Sequence, residues 1–275
     1  MIRTDRTYCS VKCARRARVA NAREWTKTVV SGDWHIPFHC NEALNLFFAF
    51  IEKEKPDRII LNGDVADNYE ISKFTRDPQR KADLRDEVKE VRDWLYRLRG
   101  IAGKCEIIYI CGNHEHRLHK YILTNAKELA GLDGLTLPAQ YHLDKLRIKW
   151  VPCEADRFVD TYYALPNLLV GHFDKTSAHS AYAAKLLLDS YGISLIQAHV
   201  HSFGATNRTL AGGMVAAWEG GCLCDLQPHY CRPKNWAHGF HVIHHRSDGY
   251  FSLEPVLMVD HKFRYGGTLY QGGVR

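Results

Sequence analysis

The stretch RIILNGDVAD at residues 58–67 joins an apolar, β-forming run to a glycine and two aspartates. Four other apolar runs lead in the same way into polar residues that can bind metals: TVVSGDWH at 28–35, IIYICGNHE at 107–115, LLVGH at 168–172 and SLIQAHVH at 194–201. Such runs predict β-strands, and the polar residues after each run mark the carboxyl end of its strand. Open α/β sheets place their sites at this edge. The sequence therefore predicts one site that is built from five strand ends.

The residue types at these strand ends suit a pair of metal ions. Two divalent cations held roughly 3.5 to 4 Å apart need one shared carboxylate, with imidazole and oxygen ligands on either side. Asp64 is the natural bridge between them. The pairs D-x-H at 33–35 and H-x-H at 199–201 would each point both outer side chains to one side of an extended backbone. Each pair is therefore expected to offer two ligands to the same space.

The ordered motifs D-x-H, G-D-x-x-D, G-N-H-(D/E), H and H-x-H resemble those of the calcineurin-like metallophosphoesterase superfamily. The resemblance implies an α/β fold, a four-layer α-β-β-α sandwich of two mixed β-sheets flanked by helices, over residues 28–275. It also implies two bound divalent ions that share Asp64. The implied metal ligands are Asp33, His35, Asp64 and His201 for one ion, and Asp64, Asn113, His172 and His199 for the other.

The same resemblance implies a catalytic imidazole outside the metal ligands, His114, and a carboxylate that orients it, Asp67. A hydroxide bridging the two metals would attack phosphorus in line, with no covalent enzyme intermediate, while His114 stabilises or protonates the leaving oxygen. Ligands of this mixed kind suit several metals. We expect Mn²⁺ first, with Zn²⁺, Fe or Ni²⁺ as alternatives.

Two departures from the family pattern bear on the function. Ala198 stands where glycine is usual, which costs little if the backbone φ there is below zero. Asn68 and Tyr69 follow Asp67, where the protein serine/threonine phosphatase branch has Arg-Gly. The chain therefore resembles the phosphodiesterase and nuclease branches more closely than it resembles that phosphatase branch.

Three further residues are predicted to contact the substrate. Arg117 lies three residues past His114 on the first turn of a predicted helix, where its guanidinium could reach a phosphate oxygen; a surface helix cation would give the same pattern. His39 and His116 rank above the other histidines because each lies beside motif residues. We therefore place all three at the rim of the predicted metal site.

The basic N-terminal arm, residues 1–27, holds the whole net charge of the chain. It carries eight Lys or Arg residues against two acidic ones, whereas residues 28–275 carry 29 of each sign. A solvated tail and a segment that binds a polyanion both fit this composition. Beside a phosphoester-cleaving site, a segment that binds a polyanion is the favoured interpretation, and DNA or RNA is then the expected substrate or partner.

The cysteines raise a separate question about metals and redox state. Cys9 and Cys13 in the arm resemble half of a zinc knuckle, but a structural zinc needs four ligands. Cys222, Cys224 or Cys231, or a second subunit, would have to complete it, and a remnant of such a site is favoured. Nine cysteines in a chain without a secretion signal indicate reduced thiols rather than a disulfide framework.

The remaining sequence pattern predicts helices and a second sheet. Apolar residues at helical spacing predict helices near 41–51, 84–100 and 176–192. The short β-rich runs from residue 205 onward predict the second sheet. Loops at 62–80 and 220–239 are expected to form the rims of the cleft. The second of these loops also holds stretches similar to those of phage-encoded members of the superfamily.

Three functions fit these features. The favoured one is a phosphodiesterase or nuclease. The alternatives are a phosphomonoesterase or nucleotide phosphatase of broad specificity, and a nucleic-acid-binding accessory protein whose metal site is idle. No apolar run approaches the ~20 residues of a membrane span, and the chain does not begin with a secretion signal, so we expect a cytoplasmic protein with no membrane partner.

Overall fold

Strands and helices alternate through the first half of the computed structural model, which describes residues 25–73, 83–153, 161–227 and 235–272. The first eight elements are β1 (Thr26–Ser31), α1 (Asn41–Glu54), β2 (Arg58–Asn62), α2 (Leu84–Ala102), β3 (Glu106–Ile110), α3 (Asn113–Asn125), α4 (Leu137–Gln140) and β4 (Ile148–Val151). Short 3₁₀ turns lie at Tyr69–Ile71, Lys127–Leu129 and Asp133–Leu135. The predicted helices near 41–51 and 84–100 are therefore present as α1 and α2.

Strands dominate the second half of the chain. Its elements are β5 (Thr161–Leu165), β6 (Leu168–Gly171), α5 (Tyr182–Tyr191), β7 (Ser194–Gln197), β8 (Phe203–Leu210), β9 (Gly213–Gly220), β10 (His238–His245), β11 (Phe251–Met258), β12 (Lys262–Tyr265) and β13 (Thr268–Gln271). The predicted helix from residue 176 is wrong at its start. Ala181 adopts a left-handed φ of 66°, so the helix begins only at Tyr182.

The strands form two mixed sheets and a separate hairpin. The first sheet has the order β11-β10-β1-β2-β3-β4, and its β1, β2, β3 and β4 run parallel. The second sheet has the order β5-β6-β7-β9-β8, with β6, β7 and β9 parallel. Strands β12 and β13 form the hairpin. Both sheets combine parallel and antiparallel pairs, as the resemblance implied.

Alternating side chains along the first sheet bury both of its faces. Val29, Ile59 and Ile107 pack into a core with α1 and α2, whereas their neighbours in sequence pack between the two sheets. Helix α5 covers the outer face of the second sheet through Leu187 and Leu188. A sheet buried on both faces explains why its strands are continuous apolar runs. The predicted four-layer sandwich is confirmed.

The prediction that everything after residue 205 belongs to the second sheet was wrong. Strands β8 and β9 do join that sheet, but β10 pairs antiparallel with β1, and β11 pairs with β10 at the edge of the first sheet. Phe240 and Val242 pack on the helical side of β10, and Ile243 packs between the sheets. A strand that is apolar on both faces fits either sheet, so its composition could not decide between them.

The cysteine prediction needs one correction. Cys111 and Cys153 form a disulfide with their Cα atoms 5.6 Å apart, although reduced thiols were expected throughout. This pair joins the ends of two neighbouring parallel strands, β3 and β4, and their closeness follows from strand pairing that the sequence spacing does not reveal. Cys40, Cys105, Cys222 and Cys224 are free.

Some predicted features lie outside the described residues. These are most of the basic arm, with Cys9 and Cys13, the cysteine at 231, and parts of the two rim loops, at 74–80 and 228–234. Within the described ranges no helix combines the length and the apolar character that a membrane crossing needs.

Candidate metal centre

The structure brings all seven predicted metal ligands together at the carboxyl ends of five parallel strands. The first sheet supplies Asp33 and His35 after β1, Asp64 after β2, and Asn113 after β3. The second sheet supplies His172 after β6, and His199 and His201 after β7. The site therefore lies where the strand ends of the two sheets face each other.

One group of donor atoms contains Asp33, His35 and His201. The Nε2 atoms of His35 and His201 are 3.0 Å apart, and His201 Nε2 lies 3.2 Å from Asp33 Oδ1. Asp64 Oδ2 lies 3.7 Å from His35 Nε2. Neighbouring ligands around an ion with bonds of ~2.0 to 2.2 Å are themselves ~3 Å apart. These side chains are therefore spaced as ligands of one ion would be.

A second group is built in the same way on the other side of Asp64. His172 Nε2 lies 3.1 Å from Asp64 Oδ2 and 3.0 Å from the Asn113 side-chain oxygen. His199 Nδ1 lies 2.8 Å from that same oxygen. Asp64 Oδ2 thus borders both groups, as a bridging carboxylate must.

Hydrogen bonds outside the cluster fix which ring nitrogens face inward. His35 Nδ1 lies 2.9 Å from Asp67 Oδ1, and His172 Nδ1 lies 2.9 Å from the backbone oxygen of Asn62. Both acceptors are oxygens, so each Nδ1 carries a proton, and Nε2 is the nitrogen that faces the cluster and would bind an ion. Metal-binding histidines are oriented in this way by carboxylate or carbonyl partners.

A buried carboxylate oxygen gives a second sign that a cation fits here. Asp33 is fully buried, and its Oδ1 accepts no hydrogen bond although His201 Nε2 is near. Burying an ionised oxygen without a partner is costly unless a cation lies beside it. The donor set of carboxylates, imidazoles and an amide oxygen suits divalent transition metals. The residues present therefore fit two divalent ions.

The protonation of the cluster follows from burial and neighbouring charge. Burial alone would raise the pKa of Asp33, but the adjacent His201 and His35 imidazoles hold it well below its usual value. Burial would lower the pKa of His172, yet the Asp64 carboxylate outweighs it and raises this pKa to about 9. Burial lowers the pKa of His199 to about 4. The metal-free site therefore holds ionised carboxylates at neutral pH.

The expected extended backbone at the ligand pairs was wrong. Five of the seven predicted ligands adopt left-handed φ values between 51° and 72°: Asp33, His35, Asp64, His199 and His201. Each such residue costs on the order of 1 to 2 kcal/mol, and strain of this kind clusters at functional sites. Tight loops rather than strand alternation aim these side chains inward. Ala198 keeps a φ below zero, so alanine is tolerated there.

Two glycines let the loops approach each other. Gly63 has a φ of +79°, and a Cβ built on it would lie 2.6 Å from His172 Nδ1. A Cβ on Gly112 would collide with the Asp64 side chain. Any side chain at either position would displace a predicted metal ligand, so both positions require glycine.

Glu115 anchors the loops, a role that the sequence interpretation missed. Its buried carboxylate accepts hydrogen bonds from the backbone N–H groups of Asp64 (2.7 Å), Ala66 (3.1 Å) and Gly112 (2.8 Å), and from the hydroxyl of Tyr109 (2.7 Å). It thereby joins the loop after β2 to the start of α3. The signal was present, because an acidic residue at the third position of a helix commonly caps it.

The predicted catalytic pair lies directly beside the cluster. His114 Nδ1 lies 2.8 Å from the backbone oxygen of Asp67 and 3.0 Å from its Oδ1, and His114 Nε2 lies 3.7 Å from Asp64 Oδ2. The Asp67 carboxylate also accepts the hydrogen bond from His35, so one residue orients both a predicted ligand and the predicted catalytic imidazole. Arg117 donates to His114 Nε2 (2.9 Å) and to the backbone oxygen of Asp67 (2.8 Å).

The structure does not group His39 or His116 with the metal ligands. The side chain of His39 is 3% exposed and packs edge-on against Trp94 of α2. His116 lines a cavity of about 370 Å³ between α3 and the segment at 129–138, and none of the seven predicted ligands lines that cavity. Contact of either histidine with substrate stays a prediction.

Comparison with known proteins places this arrangement in a family. The sequence profile described as Calcineurin-like phosphoesterase matches residues 26–203. No curated protein matches the chain. Similar solved structures include zinc-complexed Vps29 from Entamoeba histolytica (12% identity, TM-score 0.44, 89% of this chain and 96% of that chain covered). They also include Vacuolar Protein Sorting 29 from Cryptosporidium parvum (11%, 0.45, 90% and 99%) and a dimetal phosphatase from Danio rerio (10%, 0.43, 84% and 95%).

The profile match covers more than half of the chain and contains all five motif stretches. Its limits also coincide with the described elements from β1 to the start of β8, which carry every predicted ligand. This chain belongs to the calcineurin-like phosphoesterase family.

Proposed function

We propose that this protein is a dinuclear metal-dependent phosphoesterase that hydrolyses phosphodiesters, with DNA or RNA as substrate. The observation that carries the proposal is the spacing of the donor atoms. Two groups of side-chain donors, with many neighbouring atoms 2.8 to 3.2 Å apart, share Asp64 Oδ2. Asp33, His35, Asp64 and His201 would hold one ion, and Asp64, Asn113, His172 and His199 would hold the other.

Two bound ions would supply an activated water and absorb the charge that develops on the phosphoryl oxygens. A mixed set of oxygen and nitrogen donors suits several divalent metals, of which we expect Mn²⁺ first, with Zn²⁺, Fe or Ni²⁺ as alternatives. The protein's own part is to hold the donors rigidly. Glu115 does so from below the loops through its four hydrogen bonds, and the ring partners of His35 and His172 fix their tautomers.

His114 is proposed to protonate the leaving oxygen. Its Nε2 lies 3.7 Å from Asp64 Oδ2, while Nδ1 is held by Asp67, so Nε2 is the nitrogen available to a substrate. Arg117 now donates to this same Nε2. When a substrate phosphate enters, the guanidinium can turn to the phosphate, which leaves His114 Nε2 free to carry a proton.

The residue after Asp67 supports a diester substrate over a monoester. Asn68 is buried, and its side chain donates to the backbone oxygen of His114 at 2.9 Å. Its own backbone N–H donates to Glu87. The position that carries an arginine in the protein phosphatase branch therefore braces the catalytic histidine and offers no cation. A phosphodiester, with one negative charge, needs fewer cations than a phosphomonoester dianion.

The proposed nucleic-acid substrate rests on the charge of the chain. The arm at 1–27 carries the net charge of +6, which suits a phosphate backbone. The sequence likeness of the segments around Cys222 and Trp236 to phage-encoded members fits a nucleic-acid enzyme. Location in the cytoplasm is part of the same proposal.

Matched chromogenic esters test the reaction class. The full chain is stripped of metal with a chelator, resupplied with Mn²⁺, and assayed with bis(p-nitrophenyl) phosphate and with p-nitrophenyl phosphate. We expect metal-dependent turnover with the higher kcat/KM on the diester. A higher kcat/KM on the monoester would favour the phosphomonoesterase instead, and absence of turnover with every metal tried would leave the nucleic-acid-binding accessory protein.

Deleting residues 1–24, the part of the arm that precedes β1, tests the substrate class. We expect the shortened chain to be retained less than the full chain on single- or double-stranded DNA or RNA. Retention of the full chain should also decrease more steeply with salt concentration, while turnover of the small diester stays unchanged. Unchanged retention would contradict a role of the arm in nucleic-acid binding without touching the reaction class.

A further inference from the structure

A second cluster of metal-binding side chains lies outside the dinuclear site. Cys40 precedes α1, His238 is the first residue of β10, and His261 lies in the turn between β11 and β12. One donor atom from each lies within 4.8 Å of the donor atoms of the other two. We refer to Cys40, His238 and His261 as the Cys40 cluster. None of its members is among the predicted catalytic-metal ligands.

We propose that the Cys40 cluster binds a structural Zn²⁺ ion, with Glu42 as the fourth ligand. Cys40 Sγ lies 3.9 Å from His261 Nδ1 and 3.6 Å from Glu42 Oε2. With Zn–S bonds of ~2.3 Å and Zn–N or Zn–O bonds of ~2.0 to 2.2 Å, tetrahedral ligands lie about 3.6 Å apart. The two separations from Cys40 Sγ are thus within a few tenths of an ångström of those that the ion would impose, and the donor atom of His238 lies within 4.8 Å of those of Cys40 and His261.

The chemistry of the donors selects zinc. One thiolate, two imidazoles and a carboxylate form a tetrahedral set of the kind that borderline-soft Zn²⁺ prefers. His238 Nε2 lies 2.8 Å from the backbone oxygen of Cys224, so it carries the proton and Nδ1 keeps the lone pair. This is the carbonyl partner that orients a metal-binding histidine.

Backbone hydrogen bonds hold the segments of the cluster in place without a metal. The N–H of Cys40 donates to Leu223 at 2.8 Å, and the N–H of Gly239 donates to Cys222 at 3.2 Å. The segment at 222–224 therefore lies between the start of α1 and the start of β10. A binding site whose segments are already joined loses little conformational entropy when the ion binds.

The turn that carries His261 has an unusual conformation. Val259 and Lys262 exchange two backbone hydrogen bonds of 2.9 Å, and the two residues between them, Asp260 and His261, have φ values of 47° and 54°. Two-residue turns of this kind favour Asn-Gly. A non-glycine pair in the left-handed region stores strain, which is commonly kept where a side chain has a function.

The proposed ion would support the loop behind the dinuclear site. It would tie the β11–β12 turn, and so the hairpin of β12 and β13, to α1 and to the segment at 222–224. Within that segment Cys224 Sγ lies 3.7 Å from His201 Nδ1, on the ring edge opposite to the one that faces Asp33. Loss of the ion is therefore expected to loosen the orientation of His201.

Cobalt substitution tests the proposal on the full chain. Co²⁺ bound to a thiolate gives a charge-transfer absorption that oxygen and nitrogen ligands do not give. We expect metal-free protein titrated with Co²⁺ to develop this band. Cys40→Ser and His261→Ala should each lose the band together with about one bound ion per chain. Cys105→Ser is the matched control, because Cys105 is also free and half-buried but belongs to no group of metal-binding side chains among the described residues. This variant should keep both the band and the ion.

Two further variants separate the possible sources of the band. His201, Cys222 and Cys224 form another grouping of donors, so the double variant Cys222→Ser/Cys224→Ser must keep the band if Cys40 is its source. Asp64→Asn should lose the catalytic ions and keep the band, so a failure of the dinuclear site leaves this proposal testable. Absence of the band in the unmodified chain, or its survival in Cys40→Ser, would overturn the proposal.

Discussion

The loops of the two sheets contribute different chemistry to one site. The first sheet supplies both carboxylates, the amide and one imidazole, whereas the second sheet supplies imidazoles alone. The members are Asp33, His35, Asp64 and Asn113 from the first, and His172, His199 and His201 from the second. The negative charge that would balance two cations therefore comes from one sheet. The other sheet would fix the positions of the ions with neutral donors.

Each proposed ion takes ligands from both sheets, so metal binding should also hold the sheets together. The side chains of the two sheets also differ in the number of donor groups that each one contacts. A carboxylate of the first sheet contributes charge and, at Asp64, contacts both donor groups. An imidazole of the second sheet contributes to one group only. Substitutions on the two sheets should therefore differ in how many ions they remove.

The largest effect is expected for Asp64→Asn. It should remove both ions and bring turnover of the diester to background, because a neutral amide cannot bridge two cations. His199→Ala, on the second sheet, should remove only one ion. Metal analysis after dialysis, beside turnover, measures both effects. Asp144→Asn, an exposed aspartate, is the control. Full activity in Asp64→Asn would refute the bridging role of Asp64 and with it the expected difference between the two sheets.

The next largest effect is expected for His114→Ala. His114 follows β3 of the first sheet but is not a predicted metal ligand. Both ions should remain, and the chemical step should slow by about 10²- to 10⁴-fold, as for the loss of a general acid. Single-turnover kinetics and metal analysis of the same preparation check this. His119→Ala, exposed on the same helix, should change neither. Loss of metal in His114→Ala would make His114 a ligand instead.

Much of this arrangement could be predicted from the sequence, because the ligands follow apolar runs directly. Val29-Val30 and Ile59-Ile60 predict strands, and chain order then places Asp33 and Asp64 at neighbouring strand ends. The same reasoning marked His172 and His199 as residues at strand ends, but it did not place their strands in a second sheet. Local pattern and the rule that parallel strands end at one edge give these positions, whereas the division of the ligands between two ions came from the resemblance to the family.

What could not be predicted depends on contacts between distant segments. The pairing of β10 with β1 joins residues more than 200 positions apart, and both sheets would have accepted that apolar strand. The left-handed φ of His201 is set by its loop, which a residue pattern does not encode. Likewise, Asp67 was assigned to His114 alone, because only the folded chain brings His35 Nδ1 to its other side.

Asp67 contacts both His35 and His114, so its substitution should have a smaller effect that can be measured separately on metal affinity and on the chemical step. Asp67→Asn keeps the size of the side chain but removes the charge that supports both His35 and His114. We expect metal affinity to fall by about 10- to 100-fold, as for other partners of ligating histidines, together with a slower chemical step. Titration with Mn²⁺ measures the first part. If the affinity matches that of the unmodified chain, Asp67 acts through His114 alone.

The smallest effect is expected in the pH dependence of metal affinity, to which His172 and His199 of the second sheet should contribute differently. In the metal-free protein the pKa of His172 is raised to about 9, whereas burial lowers that of His199 to about 4. An ion needs the neutral ring, so it must displace a proton from His172 below pH 9 and none from His199 above pH 4. Affinity for the ion at His172 should therefore rise about tenfold per pH unit from pH 7 to 9 and then level off.

Calorimetry in two buffers of different ionisation enthalpy tests this difference at pH 7.5. About one proton should be released when the ion at His172 binds. His201→Ala, which should remove only the other ion, should leave that release intact, whereas His172→Ala should lose the release together with the ion at this position. The same raised pKa means that protonated His172 stabilises the metal-free fold, and this stabilisation is lost as the pH rises through 9. Absence of proton release in His201→Ala, where only the ion at His172 should bind, would assign the displaced proton to a ligand of the other ion and would remove the difference between His172 and His199.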